Sequence, residues 1–157
     1  MRLIVSNHES AFSFSSRKKK GISVLKLFIA DDSQAILESL SDLLADIRGM
    51  EIVGHAQNAN EAIERIKKTK PDVAILDIRM PGGSGIHVLE IIKAYKNTIL
   101  VIMLTAYPYP QYQQICEEMG AEYFFDKSTE FHRVQEVLTE LAASAQKDLN
   151  EKVSLGS

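Results

Sequence analysis

The sequence predicts an α/β protein in which a doubly wound, five-stranded parallel sheet is covered by five helices. Short apolar runs of strand length alternate along the chain with segments whose apolar residues recur at helical spacing. Residues 99–104 form a continuously apolar run, which is typical of a strand buried on both faces of a covered parallel sheet. This alternation is the sequence pattern of βαβ units.

The first strand and helix are predicted over the segment that precedes Gly49. Residues 24–30 are apolar except for one lysine and end abruptly at two aspartates. The helix that follows is indicated by apolar residues at helical spacing, with Gly49 as its stop. These residues are Ile36, Leu37, Leu40, Leu43, Leu44 and Ile47. A second short strand is predicted over residues 51–56.

The middle of the chain continues the alternation. Asn58 or Asn60 can cap a second helix, which must end before Pro71 because proline disfavours a helical residue at the position before it. A third strand is predicted over residues 73–76. The Gly-rich residues 81–85 are predicted to be a flexible connector to a third helix, whose apolar face carries Ile86, Leu89 and Ile92.

Residues 99–104 are the fourth strand, and a short helix follows it. Pro108 and Pro110 open this helix, and Gly120 closes it because glycine readily adopts the left-handed conformation of a C-cap. The fifth strand is predicted over residues 123–125.

Ser128 or Thr129 is predicted to begin the last helix, with Phe131, Val134, Val137, Leu138 and Leu141 facing inward. Residues 149–157 are predicted to form a frayed tail. Residues 1–22 are Ser-rich and then basic, so we predict a disordered N-terminal tail. One domain is therefore expected over residues 23–148. Right-handed crossovers restrict its topology, and the flavodoxin-like strand order 2-1-3-4-5 fits best.

The composition argues against several classes of function. A formal charge of -3 over 157 residues lacks the basic excess that nucleic-acid-binding domains usually carry. A single cysteine, Cys116, leaves no internal disulfide or zinc cluster. No apolar run approaches the roughly 18 residues of a membrane span, and the N-terminus lacks a signal-peptide pattern. We therefore expect a cytoplasmic protein without a membrane or direct nucleic-acid partner.

Polar side chains follow the ends of four predicted strands. Asp31 and Asp32 follow the first strand, and Asp77 follows the third. Thr105 ends the fourth strand, and Lys127 follows the fifth. Because ligands of such sheets bind at the carboxyl ends of the strands, where the strand order reverses, we expect these five side chains to converge.

This set of side chains favours phosphoryl chemistry with a divalent metal. Three neighbouring carboxylates repel one another unless a cation compensates, and Mg2+ suits a small carboxylate set. Lys127 can pair with a carboxylate or a phosphoryl oxygen, and Thr105 adds a hydroxyl donor. An aspartate placed among them can act as a nucleophile toward phosphorus. The chain has no G-x-x-x-x-G-K-[ST] loop, so we do not expect ATP to be the direct substrate.

From about residue 24 to residue 145 the chain resembles the CheY-like receiver domains of two-component response regulators. Four short motifs carry the resemblance, each at the end of its own predicted strand. They are Asp31-Asp32, Asp77-Ile78-Arg79-Met80-Pro81-Gly82, Thr105-Ala106 and Phe125-Asp126-Lys127-Ser128. Each motif is weak alone, and their order along the chain makes the set specific.

The resemblance implies phosphorylation of Asp77 by a sensor histidine kinase or a histidine phosphotransfer protein. It also implies that Asp32, Asp77 and the backbone carbonyl of Arg79 bind Mg2+, with Asp31 helping through water. Thr105 and Lys127 would contact the phosphoryl oxygens.

The resemblance further implies a conformational switch. Thr105 would move toward the phosphoryl group, and an aromatic residue on the fifth strand would turn inward behind it. Phe124, three residues before Lys127, fits that role, although it can also be a plain core aromatic. Tyr123 and Phe125 should then point to the opposite face of the sheet.

Two features depart from the commonest receiver pattern. Ser128 follows Lys127 where many receivers carry proline, which leaves the geometry of this loop open. Arg79 and Tyr107, two residues past Asp77 and Thr105 respectively, are both large. We hypothesise that they flank the path of attacking water and slow self-dephosphorylation.

Two other functions compete with the phosphorylated switch. A small phosphohydrolase with an aspartate nucleophile usually needs a D-x-D spacing and cap elements, whereas Asp31 and Asp32 are adjacent. A receiver-shaped interaction module that takes no phosphate has no physical need for clustered carboxylates. We therefore expect a signalling phosphoacceptor rather than a conventional enzyme.

No output domain is predicted after the last helix. We therefore expect output through a partner or a homodimer, at the surface of the fourth helix, fifth strand and fifth helix. Aromatic residues in or near that surface could anchor such a contact or could only pack locally. They are Tyr107, Tyr109, Tyr112 and Phe131.

Overall fold

The computed structural model describes residues 2–3, 17–19 and 21–156. The strands are β1 (Arg2–Leu3), β2 (Arg17–Lys19), β3 (Ile22–Ala30), β4 (Met50–Ala56), β5 (Val73–Leu76), β6 (Arg79–Met80), β7 (Gly83–Ser84), β8 (Leu100–Thr105) and β9 (Tyr123–Asp126). The helices are α1 (Gln34–Leu44), α2 (Ala59–Thr69), α3 (Gly85–Tyr95), α4 (Pro110–Glu118) and α5 (Phe131–Leu155).

Five of the strands form a parallel sheet in the order β4-β3-β5-β8-β9. Counted along the chain, this is the order 2-1-3-4-5, and the predicted doubly wound, flavodoxin-like fold with five helices is confirmed. The order reverses at β3, whose neighbours are β4 on one side and β5 on the other. The carboxyl ends of β3 and β5 therefore lie side by side.

Each face of the sheet carries its own hydrophobic core. The core under α2, α3 and α4 receives Phe28 from β3 and Met103 from β8. The core under α1 and α5 receives Ile29 and Ile102, the next residue of β3 and the preceding residue of β8. Successive side chains of a strand point to opposite faces, so a strand covered on both sides must be apolar throughout. All six residues of β8 are buried, in agreement with the continuous apolar run in the sequence.

Local hydrogen bonds account for where the helices begin. The side chain of Asn58 accepts a hydrogen bond from the Glu61 backbone N–H, so Asn58 is the N-cap of α2. α5 begins at Phe131, later than predicted, because Ser128 and Thr129 both donate hydrogen bonds to the carboxylate of Asp126. Those bonds form a turn before the helix.

The C-terminal tail prediction for residues 149–157 is wrong over most of its length, because α5 continues to Leu155. Leu149 lies four residues after Ala145, and both side chains are buried. The side chain of Gln146 accepts a hydrogen bond from the Ser23 N–H and donates one to the Gly21 carbonyl. The extra turns thus pack against the start of β3.

The predicted N-terminal tail lies mostly outside the described residues. Within them, β2 pairs antiparallel with the start of β3, and β1 pairs antiparallel with β9. Strand β3 also begins at Ile22, inside the predicted tail. The domain limits of 23 and 148 stay a prediction. In the described part of the chain, no helix combines the length and the apolar character needed to cross a membrane.

Candidate functional site

Three aspartates meet at the carboxyl ends of β3 and β5. Asp31, Asp32 and Asp77 each offer one carboxylate oxygen, and these oxygens lie within 4.8 Å of one another. Asp31 and Asp77 are buried, whereas Asp32 is exposed. Such a set of hard oxygen ligands, open to water on one side, fits a divalent cation.

Among the described residues, Lys127 is the one whose positive charge lies inside this cluster. Its Nζ lies 2.5 Å from Asp31 Oδ2 and 3.1 Å from Asp77 Oδ2. Burial alone would lower the pKa of Lys127, but its hydrogen bond to Asp31 and the charge of Asp77 outweigh burial and raise it. Lys127 is therefore charged over the whole physiological pH range.

The acidity of the Asp77 carboxyl group is perturbed by its surroundings. Burial, with a further contribution from the charges of Asp31 and Asp32, raises its pKa to about 6 even though Lys127 acts in the opposite direction. A carboxylate with this environment is stabilised by any cation that joins the cluster.

The backbone around Asp77 is fixed by the start of α3. The Asp77 N–H donates to the carbonyl of Ala30, and the Gly85 N–H donates to the carbonyl of Ile78. A Cβ atom added to Gly85 would lie 1.8 Å from the Asp77 carbonyl oxygen. Only glycine allows this close approach. The predicted flexible connector is instead a β6–β7 hairpin, and the hydroxyl of its last residue, Ser84, caps α3.

Thr105 lies at the end of β8, next to β9 in the sheet. Its register partner is Asp126, and its carbonyl accepts a hydrogen bond from the Lys127 N–H at 2.8 Å. The side chain is fully buried, and its Oγ1 accepts a hydrogen bond from the Tyr107 N–H at 2.9 Å. The adjacent ends of β8 and β9 therefore position both the Thr105 hydroxyl and Lys127.

The side chain of Arg79 points at an aromatic ring rather than at the carboxylates. Its Cζ lies 3.7 Å from the ring centroid of Tyr107, which is within cation–π distance. The ring of Tyr107 is in turn 6.2 Å from that of Tyr109, which is 5.6 Å from that of Tyr112. Arg79 and Tyr112 also line a cavity of about 670 Å³ that opens beside Asp32.

Phe124 is buried in the core under α2, α3 and α4. Tyr123 and Phe125 pack on the opposite face of the sheet, as predicted, and their rings are 5.8 Å apart. Phe124 is thus inward-facing, and the structure is compatible with both the switch role and a plain core role.

The loop after Lys127 adopts a regular geometry without proline. The Lys127–Ser128 peptide bond is trans, and the Ser128 N–H donates to Asp126 Oδ1 at 2.8 Å. A proline could not donate this bond. In this chain a hydrogen bond from Ser128 therefore restrains the loop that a proline ring restrains in many other receivers.

Comparison with known proteins identifies the family. The sequence profile described as the response regulator receiver domain matches residues 27–139. The chain belongs to the response regulator receiver domain family. The matched residues of this receiver domain include Asp31, Asp32, Asp77, Thr105 and Lys127.

The relatives of this receiver domain are longer proteins. The uncharacterized transcriptional regulatory protein YvfU of Bacillus subtilis is 36% identical over 107 residues, which are 68% of this chain and 54% of that protein. DesR, a transcriptional regulatory protein of the same organism, is 34% identical over 106 residues, 68% of this chain and 52% of that protein. The chain thus spans about half the length of these curated relatives.

Solved structures share the fold along nearly their whole length. The response regulator domain of Thermotoga maritima CheB is 30% identical, with a TM-score of 0.68 over 79% of this chain and 97% of that one. In the CheX-CheY-BeF3-Mg+2 complex from Borrelia burgdorferi, a chain is 28% identical, with a TM-score of 0.65 over 74% of this chain and 90% of that one. The receiver domain is a signalling module of two-component response regulators.

The structure brings together most of the predicted site and adds residues that sequence reasoning missed. Asp31, Asp32, Asp77 and Lys127 form one cluster, with Thr105 on the adjoining strand. The close contact of Gly85 was missed because nothing in the sequence distinguishes that glycine from its neighbours in the loop. The stacking of Arg79 on Tyr107 is not predictable from the sequence, because the large size of two side chains does not show that they are in contact.

Proposed function

We propose that this receiver domain accepts a phosphoryl group on Asp77 and thereby switches the binding of a partner. The observation that supports the proposal is a buried carboxyl group with a raised pKa, which lies among two further carboxylates and one ammonium group. Perturbed acidity beside specific charge partners is typical of functional carboxyl groups.

In the proposed reaction, an Asp77 carboxylate oxygen attacks the phosphorus of the donor. The new oxygen–phosphorus bond forms as the bond from phosphorus to the donor breaks, so acetyl phosphate would release acetate and a phosphohistidine would release histidine. Lys127, already 3.1 Å from Asp77 Oδ2, offsets the negative charge on the phosphoryl oxygens. Thr105 is proposed to donate its hydroxyl hydrogen to one of them.

The carboxylates of Asp32 and Asp77 and the carbonyl of Arg79 are proposed to hold Mg2+, with Asp31 helping through water. When bound, Mg2+ supplies charge neutralisation for the transferred phosphoryl group. The mutual repulsion of three carboxylates with ligand oxygens within 4.8 Å supports this assignment.

The proposed physiological donor is a sensor histidine kinase or a histidine phosphotransfer protein, as for other receivers. Output is proposed to pass through the surface of α4, β9 and α5, to a partner or a second copy of the chain. Tyr109 and Ile115 of this surface are exposed, whereas Phe131 packs partly on the core under α1 and α5. The transcriptional names of several relatives leave nucleic-acid contact through other parts of such proteins open.

An intact-mass measurement tests this function. The chain is incubated with acetyl phosphate and Mg2+, beside Asp77→Asn and the control Asp126→Asn, which removes a carboxylate of the neighbouring turn. One phosphoryl adduct on the wild type and the control, lost in Asp77→Asn and without Mg2+, is expected. If no adduct forms and beryllofluoride does not bind either, the receiver is an interaction module that takes no phosphate.

A further inference from the structure

Arg79 and Tyr107 join the two loops that flank Asp77. Arg79 stands two residues after Asp77, and Tyr107 stands two residues after Thr105. The guanidinium carbon lies 3.7 Å from the centre of the tyrosine ring. No ion pair between Arg79 and the three aspartates is found in the described part of the chain, although Arg79 lies close to them in sequence. The arginine is therefore engaged by the ring rather than by the acidic cluster.

Tyr107 also holds the hydroxyl group of Thr105. The Tyr107 N–H donates to Thr105 Oγ1 at 2.9 Å, and the Tyr107 carbonyl accepts a hydrogen bond from the Tyr109 N–H at 2.8 Å. The Thr105 hydroxyl can donate its hydrogen while Oγ1 still accepts from the Tyr107 amide, so only a rotation about the Cα–Cβ bond that carries Oγ1 toward a phosphoryl oxygen on Asp77 would break this bond. The backbone of residue 107 would then lose one of the bonds that fix it.

We propose that the stack of Arg79 on Tyr107 is a latch for the resting state of the receiver. The stack holds residue 107, the Tyr107 amide holds the Thr105 hydroxyl in its present rotamer, and that rotamer persists until a phosphoryl group on Asp77 competes for the hydroxyl. This inference rests on the proposed phosphorylation of Asp77. It assigns Arg79 a positioning role through its side chain, apart from the proposed metal-binding role of its carbonyl.

The latch has a thermodynamic consequence that differs from a simple shielding of water. A contact made only in the resting state shifts the equilibrium away from the active state, and its removal increases the apparent affinity of any ligand that selects the active state. A solvent-exposed cation–π contact is typically worth a change of about two- to fivefold in such an equilibrium. A shield against water would change the lifetime of the phosphoryl group and leave that affinity unchanged.

The test measures the affinity of the full chain for beryllofluoride in excess Mg2+ by titration calorimetry. Arg79→Ala and Tyr107→Ala are each expected to bind about two- to fivefold more tightly than wild type, and the double variant no more tightly than either single variant. Tyr107→Phe, which keeps the ring, and Tyr95→Ala, which removes an exposed ring whose cation–π contact is with Lys67, should bind like wild type. A second readout without beryllofluoride is the amide resonance of Tyr107, which should shift toward its active-state position in Arg79→Ala.

Two outcomes would overturn the latch. One is an affinity of Arg79→Ala and Tyr107→Ala that equals that of wild type, and the other is an additive effect in the double variant. Both are distinct from failure of the proposed function, in which the wild type itself would bind no beryllofluoride.

Discussion

Asp77 is a carboxyl group whose burial and neighbouring carboxylates oppose its negative charge in the absence of a bound cation. Burial raises its pKa to about 6, and Lys127 only partly compensates. The neighbouring carboxylates of Asp31 and Asp32 add repulsion. The site is therefore arranged for binding at the expense of the stability of the metal-free fold.

The unfavourable surroundings of the Asp77 carboxylate predict that a variant without this charge is more stable than the wild type when no metal is bound. The pKa of Asp77 in the folded chain, about 6, lies above its unfolded value near 4, so the folded state binds more protons between those pH values. Stability should fall as the pH rises through that interval. We predict that Asp77→Asn raises the free energy of unfolding by roughly 1–3 kcal/mol at about pH 7.5 in chelator, and changes it little near pH 4.

Denaturant unfolding checks this prediction, with the exposed Asp148→Asn as the control. Excess Mg2+ should reduce the difference, because bound cations stabilise the wild-type carboxylate. A metal-free Asp77→Asn variant that is less stable than wild type at neutral pH would show that the carboxylate is not under repulsion.

Tyr107 is predicted to lengthen the lifetime of the phosphoryl group. Its ring packs against the Arg79 side chain, and the two residues stand two positions after Thr105 and Asp77 respectively. We predict that Tyr107→Ala speeds loss of the phosphoryl group by about two- to tenfold, which corresponds to roughly 0.4–1.4 kcal/mol in the barrier. Intact-mass decay after removal of the donor measures this rate, with Tyr109→Ala as the control, and an unchanged lifetime would refute the hypothesis.

At the scale of elements, the site depends on how helix α3 meets strand β5. The alternation of strands and helices, and the polar residue after each strand, could be predicted because hydrophobic periodicity reports burial directly. The hairpin of β6 and β7 could not, because its contacts depend on backbone geometry. The predicted start of α5 at Ser128 or Thr129 is also wrong, because both residues donate hydrogen bonds to Asp126 and form a turn before the helix.

The contact of Gly85 with the Asp77 carbonyl predicts a large loss of stability on adding a methyl group. The added Cβ of Gly85→Ala would lie 1.8 Å from a backbone oxygen, so α3 must move away from the site. We predict a destabilisation of about 3 kcal/mol or more, at the upper end of overpacking effects. Gly156→Ala, whose nearest contact would be 3.3 Å, serves as the control in thermal unfolding. Equal stability of the two variants would show that the backbone around Gly85 can shift at little cost in free energy.

A buried ion pair fixes the other end of the sheet. Lys93 Nζ lies 2.6 Å from Glu122 Oε1, and Glu122 Oε2 accepts a hydrogen bond from the Val101 N–H at 2.6 Å. Burial raises the pKa of Glu122, while Lys93 opposes that shift. We predict that Lys93→Met costs about 3–5 kcal/mol, because it leaves a buried carboxylate without its partner.

The loss in Lys93→Met should also depend on pH. Without Lys93 the folded pKa of Glu122 rises further, so the variant should lose stability as the pH rises above the ordinary glutamate range. The exposed Lys68→Met is the matched control in denaturant unfolding. A loss in the free energy of unfolding that is small, or that does not grow with pH, would show that the Lys93–Glu122 ion pair does not stabilise the fold.

At the scale of the whole molecule, the five-stranded parallel sheet predicted from the sequence is confirmed, and the role of the polar residues at the carboxyl ends of its strands stays a prediction. The sequence could not predict the length of α5, because the last turns carry few apolar residues. The buried residues Ala145 and Leu149 are spaced as a helix requires, but two positions are too few to distinguish a helix from a tail. Packing against the start of β3 decides the outcome.

This packing predicts that the domain needs residues beyond its expected limit at 148. Removal of residues 149–157 would expose the buried surroundings of Leu149. We predict a loss of about 2 kcal/mol in the free energy of unfolding, similar to truncation of a buried leucine. Leu155→Ala at an exposed position of the same helix should change little. A truncated chain as stable as the full chain would restore residue 148 as the boundary.

Chemical reduction of the phosphorylated chain tests the central claim most directly. Borohydride converts an aspartyl phosphate to homoserine, and peptide mass spectrometry then locates the modified residue. After incubation with acetyl phosphate and Mg2+, we expect homoserine at position 77 alone, and none when Mg2+ is omitted. Homoserine at position 31 or 32, or at no position, would contradict the assignment of Asp77 as the phosphoacceptor.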